Sequence, residues 1–226
     1  MSDVSQSLAR KEVDFHSLHH HYSELNQQRE AATLGMWVFL VTEIMFFGGM
    51  ITGYTAYRVA YPNAFRAASV HMLFIAGTLN TALLITASLF VAFAVHAAKE
   101  DNRKLLVWCL VIAMFLGVCF LSVKGYEYWD HWVEHKVPGP SFQWDGPDPR
   151  HAELFFVLYF FLTGFHALHM IIGVTAVGII AWFAHKGRYT PEYHNPVENV
   201  ALYWHFVDIV WIFLYPMLYL IGHTHV

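Results

Sequence analysis

Residues 154–184 read LFFVLYFFLTGFHALHMIIGVTAVGIIAWFA, the longest apolar run of the chain, and they contain no Asp, Glu, Lys or Arg. A helix needs about 20 such residues, at 1.5 Å each, to cross ~30 Å of hydrocarbon. This run is longer than that, so as a helix it must tilt or project beyond the bilayer. Four more runs reach spanning length, at 33–57, 70–96, 105–123 and 200–222. With 57% hydrophobic and 13% charged residues, the chain carries about half the usual ~25% charge of a soluble domain. The expectation is an all-α integral membrane bundle of five transmembrane helices, preceded by a polar arm over 1–32 and filling 33–226 as one domain.

Orientation is read from Lys and Arg. With the N-terminus inside, the inner segments hold Arg10, Lys11, Arg29, Lys99, Arg103, Lys104, Lys186 and Arg188. The outer segments hold Arg58, Arg66, Lys124, Lys136 and Arg150. Eight against five favours the N-terminus inside and the C-terminus outside. Residues 1–32 have no apolar core of the kind a cleavable signal needs. Cys109 and Cys119 share the third span, so they define no disulfide framework. The net charge of −4 gives no nucleic-acid signal.

The arm holds His16, His19, His20 and His21. A metal-binding tract and a solvated arm are the two readings. The second is expected, because no Cys or carboxylate pattern completes a coordination set. The run VPGPSFQWDGPDPR, 137–150, is an outer loop by its Pro and Gly content. Before it, Tyr126, Tyr128, Trp129 and Trp132 suit an interfacial aromatic belt. No fixed-period repeat or inverted pair of halves is present.

Ionisable groups at membrane depth are costly unless paired, so each is a functional candidate. Glu43 lies ~15 Å into the first span at 1.5 Å per residue. His166 and His169 sit in the fourth span, and His205 and Asp208 in the fifth. A six-coordinate haem needs a nitrogen from each face. Two histidines three residues apart, with ~4.5 Å of rise between them, share one helical face and cannot supply both. No metal site and no catalytic residue is assigned. The alternative is interhelical hydrogen bonding by His166, His169, His205 and Asp208 in one polar network, with Asn80 as a polar notch. Small residues at Gly164, Ala167, Gly173 and Gly178 would let helices approach, and Gly49 and Gly53 form a GxxxG pair. Glu43 is either interhelical glue or a proton-handling group. Pro216 is expected to kink the last helix.

These stretches resemble subunit III of the haem–copper oxidases, the cytochrome c and quinol oxidases. TEIMFFGGM (42–50) resembles the family's acidic first-helix motif, and GTLNTALLITAS (77–88) its Leu-Asn-Thr segment. TGFHALHMIIG (163–173) resembles its paired-histidine helix, and YWHFVDIVWIFLY (203–215) its final-helix motif. The resemblance implies a subunit with no cofactor of its own, haem and copper being carried by subunits I and II. It implies packing on subunit I, bound phospholipid, and support of proton uptake. Cytochrome c or quinol would then be met only through the complex.

By the same resemblance Glu43 falls on the family's carbodiimide-reactive carboxyl, and His205 and Asp208 on the final motif. Glu198 matches an acidic residue just before it, and with Trp204 and Trp211 is a candidate for interface or lipid contacts. The family's longer form has two further N-terminal helices, so this chain reads as the short five-helix form of a bacterial inner (plasma) membrane. A subunit-III-like accessory protein of a nitric oxide reductase remains an alternative. So does a b-type cytochrome.

Overall fold

The computed structural model describes residues 25–190, 193–220 and 222; the histidine cluster of the arm lies outside them. The order is α1 (Leu25–Ala60), α2 (Pro62–Ser69), α3 (Phe74–Lys99), α4 (Arg103–Val133), α5 (Pro149–His185) and α6 (Asn195–Tyr215), then a π-helical turn, Pro216–Leu220. Among the described residues there is no strand, only an isolated bridge between Thr190 and Tyr193. Five helices are long and apolar enough to cross a membrane, as the hydropathy pattern implies.

The helices begin and end at local signals rather than where hydropathy stops. The Asn102 side chain accepts from Leu105 N at 3.2 Å to start α4. Asp148, at φ 53°, accepts from His151 N, and Pro149 follows it at the first turn of α5, where a missing N–H costs nothing. Gly187, at φ 73°, ends α5 in the left-handed region. The apolar run expected over 70–96 becomes helical later than its hydropathy: the short helix α2, opened by Pro62, ends at Ser69, residues 70–73 form a turn, and α3 runs from Phe74 to Lys99.

The third span differs most. Helix α4 continues ten residues past position 123, to Val133. Its polar residues there turn inward against α5, so falling hydropathy does not mark a helix end. At 1.5 Å per residue α4 is ~46 Å long and α5 ~55 Å, both beyond the hydrocarbon thickness.

The core lies between α3, α4, α5 and α6, filled by Phe120, Phe155, Phe156, Trp204 and Trp211. Its closest approaches occur at glycines in α4 and α3. A Cβ on Gly117 would stand 2.7 Å from Val174 Cγ2 and 2.8 Å from Trp204 Cη2, and one on Gly77 would stand 2.9 Å from Tyr215 Cε2. Gly173 and Gly178 have looser surroundings, and Gly49 and Gly53 face open space, so among the described residues that GxxxG pair packs on no other helix.

Helix α1 leans on the edge of the bundle, touching α6, α5 and α2. Only 11% of its apolar window is buried, against 50% for the last span.

Candidate functional site

The deep polar residues do not form one network. They divide into three groups, because positions three apart on a helix, although neighbours on one face, still differ by about 60° in azimuth and can reach different partners. The first group joins α1 to α5. His169 Nε2 lies 3.1 Å from Glu43 Oε2, and His169 Nδ1 lies 2.8 Å from Phe165 O. A carbonyl only accepts, so Nδ1 carries a hydrogen. The Nε2–Oε2 contact then needs one more proton, on the carboxyl or on the ring. With that proton in place, the contact is a hydrogen bond that ties α1 to α5 at membrane depth. Phe47 packs edge-on to the imidazole at 5.1 Å, and Tyr203 OH donates to His169 O at 3.1 Å.

The second group joins α6 to α3. His205 Nδ1 meets Ser88 Oγ at 2.6 Å, and Trp211 Nε1 donates to Thr81 Oγ1 at 3.1 Å. Asp208 is buried beside Ser88 and the Trp204 indole without hydrogen-bond geometry to either. Both ring nitrogens of His166 are buried without a hydrogen-bond partner among the described residues, and its ring lies 5.6 Å from that of Phe120 and 5.1 Å from that of Trp211. The hydrogen bonds expected between the α6 pair and the α5 histidines are therefore absent among the described residues: α6 turns its polar face to α3. Asn80 is buried in α3 without a hydrogen-bond partner.

Trp204 and Trp211 need correction too. They are 1% and 0% exposed and fill the core, so neither is a lipid or interface contact. Glu198, in the first turn of α6, is held within the chain by Lys99 at 2.8 Å and His194 at 3.3 Å.

The third group escaped the sequence reading. Lys124, placed there in an outer segment, is 3% exposed, and Glu127 is fully buried. Lys124 Nζ donates to Glu127 Oε2 at 2.9 Å, Tyr159 OH at 3.1 Å and Tyr219 OH at 2.7 Å. These contacts use all three of its hydrogens. Tyr219 OH donates in turn to Glu127 Oε1 at 2.7 Å. The rings of Tyr128, Tyr159, Trp211 and Tyr219 lie 5.0–5.5 Å from Nζ, within cation–π range. The available signal was the spacing of Lys124, Glu127 and His131, three and then four residues apart, which puts all three on one helical face.

Outside the spans, Lys136 Nζ donates to His71 Nδ1 at 3.3 Å and also pairs with Glu134. Burial and the Lys136 ammonium hold His71 below the usual imidazole value. The hydrogen bond from Lys136 holds Glu134 below the usual carboxylate value. Among the described residues no group of three or more His, Cys, Asp or Glu could hold a metal ion.

The profile of the family described as cytochrome c oxidase subunit III matches residues 10–223. A relative named cytochrome c oxidase subunit 3 from Scyliorhinus canicula is 32% identical over 191 residues, covering 82% of this chain and 67% of its own. Another from Oncorhynchus mykiss is 34% identical over 191 residues, with the same coverage. The relative of that name from Thermostichus vulcanus is 30% identical over 190 residues, covering 83% of this chain and 86% of its own. A profile spanning nearly the whole chain, over a five-helix membrane bundle with paired polar groups at depth, places the chain in the cytochrome c oxidase subunit III family.

Proposed function

We propose that this chain is the non-redox subunit III of a proton-pumping terminal oxidase in a bacterial inner membrane, with cytochrome c as the electron donor to the complex. Haem and copper reside in subunits I and II. This chain packs on subunit I, binds phospholipid and sustains proton uptake.

The observation that carries this reading is the state of α1. It is an apolar helix mostly uncovered by its own bundle, yet tied to it at depth by the Glu43–His169 contact. Leu34, Val38, Val41 and Met45 are exposed along it, a face suited to another membrane helix. Between α1 and α6 an apolar groove of about 470 Å³, walled by Trp37, Leu40, Phe47, Phe206 and Phe213, suits an acyl chain. Purification through a tag on this chain should recover the haem-bearing subunit I. Oxidase depleted of the chain should keep its electron transfer and lose activity sooner during sustained turnover. Recovery of the chain alone from gently solubilised membranes contradicts the proposal.

A further inference from the structure

The Lys124 cluster reaches further than its own surroundings. Its distal member, Tyr219, belongs to the π-helical turn after Pro216. A π turn does not make the ordinary i→i−4 bonds, and such turns recur at functional positions. Two of its carbonyls are taken up by other elements: Tyr54 OH of α1 donates to Met217 O at 2.9 Å, and Ser69 Oγ of α2 donates to Leu218 O at 2.7 Å. Tyr54 is fully buried against the rings of Phe65 and Phe155. The outer end of α1 is therefore pinned to a turn whose place is set by Tyr219 seated between Lys124 and Glu127. The inner end is held by Asn195 Nδ2 donating to Arg29 O at 3.4 Å. Between the two pins lies Glu43.

We propose that Lys124 and Glu127 are positioning residues for the Glu43–His169 contact, acting through Tyr219, the π-helical turn and Tyr54. Helix α1 behaves as a lever pivoting near Arg29. At 1.5 Å per residue, Glu43 is ~21 Å and Tyr54 ~37 Å from that pivot. A 1 Å shift of the outer end along the contact thus moves Glu43 by ~0.6 Å. That carries the 3.1 Å Glu43–His169 separation to ~3.7 Å, beyond hydrogen-bond range. Beside Glu43 the helix is also held by the buried Leu40 and by Phe47, whose ring packs on His169 and Phe206, while most of the rest of its surface is uncovered. The functional consequence rests on the oxidase reading above; the geometric claim does not.

The test uses Tyr219→Phe, Tyr54→Phe and their double variant in the assembled complex. The Glu43–His169 distance is read by cryo-electron microscopy, and the access of Glu43 by its labelling with an apolar carbodiimide. Each single variant should lengthen the contact past 3.5 Å and raise labelling several-fold. The double variant should add nothing beyond the larger single effect, because both act along one chain of contacts. Leu110→Ala, in the buried face of α4, should lower thermal stability and leave both readouts unchanged. If Tyr219→Phe does not assemble, Tyr54→Phe alone decides. An unchanged 3.1 Å contact in either Tyr variant, or an equal change in Leu110→Ala, overturns the proposal. Native Glu43 that resists the carbodiimide counts against the reactive-carboxyl reading, and the distance measurement still decides on the lever.

Discussion

Replacing Lys124 with methionine removes a cation that is 3% exposed and leaves the Glu127 carboxylate with Tyr219 as its hydrogen-bond donor. Breaking one side of a buried ion pair costs about 3–5 kcal/mol, because the remaining charge is uncompensated. Replacing both members with apolar residues is different. Lys124→Met with Glu127→Leu removes the desolvation of two ions, which relieves about 1–4 kcal/mol. It also takes from the Tyr159 and Tyr219 hydroxyls their contacts with Lys124 and Glu127, at about 1–3 kcal/mol each. These nearly offset, so the double variant should lose only ~1–2 kcal/mol. At roughly 2–4 °C per kcal/mol for a chain of this size, the single variant should melt ~6–20 °C lower and the double variant only a few degrees lower. Thiol-dye unfolding suits the assay, because Cys109 is buried in α4 and becomes reactive on unfolding. A single variant that melts like the wild type, or a double variant at least as damaged as the single, would refute the account of a tightly coupled, dry ion pair.

Glu43→Gln should assemble and pump almost normally, since the amide can still donate to His169 Nε2; carbodiimide labelling of this chain should vanish, as a mass spectrum of the labelled subunit would report. A correctly assembled variant without pumping would make Glu43 a proton relay instead. Gly117→Ala places a Cβ within 2.8 Å of Val174 and Trp204 atoms, and overpacking of this kind should lower stability by about 1–3 kcal/mol, measurable by the same dye. Around Lys136, His71 and Glu134 both have folded values below their unfolded ones. The unfolded state then binds more protons, so the stability they contribute is complete above the unfolded imidazole value. The His71 share is lost as pH falls through that value toward the folded one, and the Glu134 share at lower pH. Hydrogen exchange over residues 134–148 should therefore quicken on acidification; exchange unaltered by pH, after correction for the intrinsic rate, would refute the assignment.

The number of spans was legible because bilayer crossing constrains hydropathy directly, and no residue of the 154–184 run interrupts it. Glu43 and His169 were legible as deep groups for the same reason. Their pairing was not, since it depends on the azimuth of α1 against α5, which no local pattern records. The same gap assigned His205 and Asp208 to the wrong neighbours and sent Trp204 and Trp211 outward, although large indoles also serve to fill a core. Lys124 was lost for another reason. A window average treats a lysine, a glutamate and a histidine within eight residues as the end of a span, whereas their side chains satisfy one another inside the bundle. Reading their spacing on a continued helix, instead of their mean hydropathy, would have recovered them.

The role proposed for this chain is to serve a redox complex without carrying any of its redox centres. It is tested most directly by stripping the chain from the purified oxidase and measuring haem and copper in both fractions by optical spectroscopy and metal analysis. The account predicts that all haem and copper stay with the remaining subunits and that the released chain is colourless. A Soret band in stoichiometric amount on the released chain, matched by its loss from the remainder, would contradict it.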